Sequence, residues 1–214
     1  METLTFISSS VKIRAIRGST SFPLMKFLFF LILPLLLSAC TVFEPIDAKP
    51  IRHLLEATVP ARTPSKAAPA IAIARPSLPP YLERSEMVTR TGDGRLEIHE
   101  KDLWSEPLDS AISRVLAENL RRLTGSTNVQ PASSFITRDY THLVELRIER
   151  FDPHPDGTLL LECTWKLQPM SGGDAAPASY RTTVPLPASA DRSARITAMN
   201  EALARLSRVI SGKL

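Results

Sequence analysis

Between His142 and Leu167 the sequence reads HLVELRIERFDPHPDGTLLLECTWKL, and this stretch allows few local structures. Val144, Leu146 and Ile148 alternate with Glu145, Arg147 and Glu149, the period-two pattern of a strand with one buried face. Leu159, Leu161, Cys163, Trp165 and Leu167 repeat the pattern over residues 158–167. The intervening DPHPDG contains Asp156-Gly157, a dipeptide suited to a tight reversal, so the two runs are predicted to pair as a hairpin across that loop. A chain with this hairpin must cover one apolar sheet face.

Two amphipathic helices are available as the cover. Leu108, Ile112, Val115, Leu116, Leu120 and Leu123 recur at helical spacing, with Ser105 as the expected N-cap, Pro107 in the first turn and Gly125 as the stop. A second helix is expected from about Asp191, with Ile196, Met199, Leu203, Leu206 and Ile210 as its stripe. Residues 70–74 (AIAIA), 87–90, 95–100 and 179–186 read as further strands, and Asp93-Gly94 as a second tight turn. Residues 51–57 fit either a short first strand or the end of a tether, and 127–137 read as irregular. The expected fold class is therefore α+β: a mainly antiparallel β-sheet with two amphipathic helices packed on one face.

The charge is unevenly placed. The chain has 26 Lys and Arg against 22 Asp and Glu, yet Lys12, Arg14, Arg17 and Lys26 lie before residue 40, opposed there only by Glu2. From Cys40 onward 22 basic residues face 21 acidic ones, which gives no basic stripe and no reason to expect a nucleic-acid partner.

That leader has the form of an export signal. Lys26 precedes an apolar run from Phe27 to Leu37 that is shorter than the roughly 20 residues of a bilayer span and is interrupted by Pro34. Leu37, Ser38, Ala39 and Cys40 resemble the lipobox of bacterial lipoproteins, in which the cysteine is acylated and becomes the first residue of the mature chain. Ordinary signal cleavage and a membrane-tethered helix are the alternatives. Residues 1–39 are read as signal peptide with Met25 a second candidate start, 40–50 as a lipidated tether, and 51–214 as one domain. With Cys40 acylated, Cys163 has no disulfide partner in the mature chain and reads as a small buried hydrophobe.

Catalytic templates find nothing in the sequence. There is no G-x-S-x-G elbow and no H-E-x-x-H, and His53, His99, His142 and His154 are scattered without ligand spacing. DPHPD (152–156) gathers two acids and a histidine, but its prolines favour a hairpin loop over a metal site. TGDG and SGGD lack the lysine and the strand–loop–helix setting of a phosphate cradle. No metal, cofactor or catalytic residue is assigned. Tyr81, fixed by Pro79 and Pro80, and Trp104, ahead of the first helix, have two readings: core packing, or anchors in a protein interface.

Taken in order, LPPYLERSEMVTR (78–90), LWSEPLDSAISRVLAENL (103–120), VELRIERFDPHPDGTLLLECTWKL (144–167) and ITAMNEALARLSRVI (196–210) resemble the ABC-transport auxiliary lipoproteins typified by paraquat-inducible protein C. One departure is RHLLEA, in place of a more aromatic first strand. The resemblance implies no enzymatic activity. It implies an outer-membrane-anchored lipoprotein subunit of an MCE/ABC-type intermembrane phospholipid transport system, acting as a periplasmic adaptor for outer membrane integrity. Its implied partners are a periplasmic MCE-domain protein, the membrane through the acyl anchor at Cys40, and further copies of itself. Tyr81, Leu82 and Trp104 are the implied docking residues, and Thr41, in place of an aspartate after Cys40, favours the inner leaflet of the outer membrane. The rival readings are a lipid-anchored periplasmic hydrolase of envelope lipids and an outer-membrane assembly scaffold.

Overall fold

A computed structural model describes residues 49–65, 68–133, 139–187 and 191–214. The leader, Leu37, Ser38, Ala39 and Cys40 lie outside the described residues. The described residues belong to one compact unit. Its strands are β1 (Ile51–His53), β2 (Ile71–Ile73), β3 (Glu86–Arg90), β4 (Leu96–Trp104), β5 (Val129–Pro131), β6 (His142–His154), β7 (Thr158–Pro169) and β8 (Ala178–Pro185). Helix α1 (Leu108–Thr124) stands between β4 and β5, and α2 (Arg192–Ser211) closes the chain. None of the helices among the described residues is long and apolar enough to cross a membrane.

The long hairpin forms as its alternation requires. β6 and β7 pair antiparallel from His142–Pro169 to His154–Thr158. A bulge between Ile148 and Arg150 takes up one extra residue. Before it Val144, Leu146 and Ile148 point inward, and after it Phe151 does, so the bulge moves the apolar face from even to odd positions. Phe151, Leu159, Leu161, Cys163 and Trp165 then meet Ile112, Val115, Leu116 and Leu120 of α1 and Leu203 and Leu206 of α2 in one core. Burying each such side chain contributes about 1.5–3 kcal/mol. Burial pushes the Cys163 thiol up to about 12, in keeping with a thiol that only packs.

The α+β class holds, with two sheets instead of one. β5-β2-β6-β7-β8 form a five-stranded sheet and β1-β4-β3 a three-stranded one. Both are mixed: β2 runs parallel to β5 and to β6, and β1 runs parallel to β4. Each parallel pair involves a strand of three residues, and local sequence does not say which strand lies beside it. β5 is one of these, in a stretch expected to be irregular, and residues 51–53 resolve as strand.

The expected caps differ at one helix. Pro107, not Ser105, occupies the N-cap of α1 and makes no side-chain cap bond. Ser105 instead donates its backbone N–H to the His53 carbonyl at 2.8 Å, joining β4 to β1. At α2, expected from about Asp191, that residue is the N-cap, its Oδ1 accepting from Ala194 N–H at 2.8 Å. Gly125 ends α1 at φ 70°, and a Cβ there would lie 2.4 Å from the Thr63 carbonyl oxygen. The DPHPDG loop is also shorter than its prolines suggested. Asp152, Pro153 and His154 belong to β6, leaving only Pro155, Asp156 and Gly157 in the turn.

A buried carboxylate ties three elements together. Asp102 on β4 accepts from His53 Nε2 of β1 at 3.0 Å and from Arg192 Nε of α2 at 2.8 Å. Because a carboxylate only accepts, His53 must carry its proton on Nε2. Burial acts to raise the Asp102 pKa, but the bonds from His53 and Arg192 prevail and hold it below the ordinary 3.8. A depressed folded-state pKa contributes stability above the unfolded value, and that contribution is lost as pH falls through the folded pKa. Asp102→Asn is therefore expected to be less stable than wild type at neutral pH and to show a flatter stability profile below about pH 4, read by urea unfolding across that range. Gly125→Ala meets both positive φ and the Thr63 carbonyl, and should cost more than about 1 kcal/mol in the same assay.

Candidate docking groove at Trp104

Pro79 and Pro80 fix an extended approach that breaks into a 3-10 turn over Pro80–Leu82. The turn sends its two side chains in different directions. Leu82 enters the core at 3 % exposure. Tyr81 is half-buried, and its hydroxyl donates to Asp152 Oδ2 at 2.5 Å. The Asp152 side chain is fully buried, with Arg150 Nη2 donating to its Oδ1 at 2.8 Å and Arg90 Nε 3.4 Å from the same oxygen. The Arg90 guanidinium also lies 5.2 Å over the Tyr81 ring. Burial first, then the bond and charge of Asp152, push the Tyr81 phenol up to about 12. Tyr81 thus braces the turn against β3 and β6.

Trp104 ends β4 at 6 % exposure and takes part in the core. Its backbone N–H donates to the Ser85 carbonyl at 2.7 Å, which draws the segment after the 3-10 turn against β4. Between that turn and the start of α1 runs a groove of about 530 Å³, within the range of ligand and peptide-anchor pockets. Pro76, Leu78, Leu82, Trp104, Pro107 and Leu108 are its apolar lining. On the rim, Arg84 pairs with Glu86 at 3.1 Å, and Asp109 with Arg75 at 3.4 Å. Glu106 takes Arg114 Nε at 3.0 Å. Arg52 and Glu83 also lie on the rim and have no side-chain partner among the described residues.

Of the three side chains named for docking, Leu82 and Trp104 share this groove as its floor, while Tyr81 is held by the Asp152 cluster away from it. Core packing and groove lining are both true of Trp104. Sequence reasoning missed Asp152, which it placed in a loop, and Arg90 and Arg150 with it. It also missed the Asp102 knot, because no local spacing relates His53, Asp102 and Arg192. Among the described residues no group of three or more His, Cys, Asp or Glu side chains could hold a metal ion. Tyr81→Phe removes one donor from a buried carboxylate and should cost about 1–3 kcal/mol in denaturant unfolding. A cost within about 0.5 kcal/mol of zero would show that the phenol braces nothing.

Residues 53–211 match the model of a protein family described as the ABC-type transport auxiliary lipoprotein component. No curated protein matches the chain. Among solved structures, one described only as an uncharacterized protein aligns at TM-score 0.63 with 17 % identity, over 77 % of this chain and 98 % of that one. Protein XCC0632 from Xanthomonas campestris, placed in the family DUF330, aligns at TM-score 0.59 with 17 % identity, over 76 % of this chain and 97 % of that one. These two likenesses are of fold. The family match extends from the last residue of β1 to the last residue of α2, and by it the chain belongs to the ABC-type transport auxiliary lipoproteins.

Proposed function

We propose that this transport-associated lipoprotein is the outer-membrane-anchored adaptor of an MCE/ABC-type phospholipid transport system, holding a periplasmic MCE-domain partner to the membrane. The observation that carries the reading is the groove floored by Trp104 and Leu82. It is preformed, apolar at its base and ringed by charges that are mostly paired. Such a floor suits the anchoring side chains of a partner, since buried aromatic and aliphatic pockets with polar rims are where binding energy concentrates. Its lining includes Ser85 and Ser105 but no histidine, cysteine or lysine to act with them, so an adaptor fits it better than a hydrolase does.

The anchor follows from Cys40. One myristoyl-length chain holds a protein to a membrane only marginally, at about 0.8 kcal/mol per buried methylene, so stable attachment needs more than one chain. The several acyl chains of a bacterial lipoprotein meet that requirement, and residues 41–50 then space the folded unit from the bilayer. Cys40→Ala should release the protein from the outer-membrane fraction with its fold intact. Retention as firm as wild type would remove the anchor from the reading.

Docking is tested by mixing the full-length chain with an MCE-domain protein taken from the same genome. The two should co-elute, and Leu78→Glu, at a half-buried groove position, should weaken the complex at least tenfold while leaving the circular dichroism spectrum unchanged. Unaltered binding by that variant would mean that the partner docks elsewhere. No complex at all would end the adaptor reading.

A further inference from the structure

The two sheets have four lateral edges, and three of them are protected by visible devices. β8 ends at Pro185, and its outward Thr183 carbonyl accepts from Arg205 Nη1 of α2 at 2.9 Å. β5 is three residues long and ends at Pro131. On β3 Met87 and Val88 are buried and Arg90 reaches into the Asp152 cluster of β6, so that edge is packed against the rest of the fold. The fourth edge, shared by β1 and β4, is different. β1 covers β4 only at Asp102, Leu103 and Trp104, so residues 96–101 have no strand on that side among the described residues.

The hydrogen-bond phase of β4 shows which groups are left free. Thr91 N–H donates to the Arg95 carbonyl at 2.9 Å, which makes that pair a bonded one. Bonded and non-bonded pairs alternate along an antiparallel ladder. Counting from Thr91–Arg95, the Thr89–Glu97 and Met87–His99 pairs are bonded, whereas Arg90–Leu96 and Val88–Ile98 turn their backbone groups away from each other. The N–H and C=O of Leu96 and Ile98 therefore face the open side. Ile98 is also 42 % exposed, unusual for a large aliphatic side chain on a strand, and Ile51 and Leu54 at the start of the same edge are exposed to a similar degree.

Beside this edge lies a second groove, of about 740 Å³, between β1, β4 and the start of α2. Its two arginines are already engaged: Arg192 with Asp102, and Arg195 Nη1 with His99 Nε2 at 3.1 Å. The groove's Glu56 and the edge's Glu100 have no side-chain partner among the described residues, and Glu97 is largely exposed. Lys101, exposed on the same edge, also has no side-chain partner among the described residues, so the spare charge is negative on balance: Glu56, Glu97 and Glu100 against Lys101.

From these observations we propose that the open edge of β4 accepts an extended segment of another protein as an added strand, with basic side chains alternating with apolar ones. Leu96 and Ile98 supply the main-chain bonds, Ile98 the apolar contact, and Glu97, Glu100 and Glu56 the charge complement. A second copy of this chain is a poorer occupant of the same edge. It would bring Glu97 and Glu100 of both copies into one short ladder, and like charges across strands repel. This surface is separate from the Trp104 groove and does not depend on the adaptor reading.

The probe is an acetylated, amidated heptapeptide of alternating Lys and Val, added to the full-length chain, with residue-resolved amide exchange as the readout. Exchange at Leu96 and Ile98 should slow at least tenfold at saturation and stay unchanged along β8. A Glu–Val peptide of the same length should give no protection. The Glu97→Lys, Glu100→Lys double variant, at exposed positions that leave the fold unperturbed, should reverse the preference. The proposal is overturned if neither amide slows, if both peptides protect equally, or if the double variant still prefers the Lys–Val peptide. It is equally overturned if both amides are as slow without peptide as those in β6, which would mean the edge is already covered.

Discussion

The inward face of the β6–β7 hairpin is the surface on which the rest of the molecule is assembled. Phe151, Leu159, Leu161, Cys163 and Trp165 cannot stay in water, and two amphipathic helices supply the facing surface. The bulge at Glu149 makes this face continuous. Without the extra residue, a strict period of two would bury Arg150 and expose Phe151. With it, Asp152 falls on the opposite side of the strand, and because Tyr81, Arg90 and Arg150 converge there the carboxylate is buried and compensated. One inserted residue therefore sets both the apolar core and the ion cluster that fixes the 3-10 turn beside the groove.

This explains which features could be read from the sequence. Periodicity is a local signal, so the long hairpin, both helices, the Asp93-Gly94 turn and the Gly125 stop were legible. Parallel pairing of three-residue strands is not local. The alternation of AIAIA marked β2 as a strand, but it meets β5 and β6 only because α1 and the hairpin bring them there, and Val129–Pro131 contains too few residues to state a period. Ser105 has the right chemistry for a cap, but Pro107 sits at the start of the helix and the Ser105 N–H is needed by β1. Buried charges were the least legible of all, since His53, Asp102 and Arg192 come from three elements far apart in the chain. Asn119 belongs with them: it is fully buried on α1, neither of its side-chain polar atoms has a partner among the described residues, and its helical spacing says nothing about why.

The candidate site divides in the same way. Trp104 was singled out as a large side chain next to irregular backbone and Leu82 only through the family resemblance, and they meet in one groove because Trp104 N–H bonds to Ser85 just beyond the turn. Tyr81 had the same sequence credentials. Its fate was decided by Asp152, seventy-one positions away, whose burial demanded a donor. A tyrosine beside a proline pair is thus an ambiguous signal: the ring suits an interface, but its hydroxyl goes wherever an unsatisfied buried acceptor is closest.

Charge is handled in opposite ways inside the fold and at its margins. Asp102 and Asp152 are buried and each is met by two or three donors, as a buried carboxylate requires. Around the Trp104 groove most rim charges are paired as well, so a docking partner there gains chiefly from apolar burial and shape, with little dependence on salt. At the β4 edge the carboxylates are exposed and mostly unpaired, so attraction for a basic segment would be screened within roughly 10 Å at 0.1 M salt. The two surfaces should therefore respond differently to ionic strength. A partner held through Trp104 and Leu82 keeps its affinity as salt is raised, and a strand recruited by Glu97 and Glu100 loses it. On the two proposed readings, a lipoprotein with one salt-tolerant and one salt-sensitive surface keeps the first partner while exchanging the second.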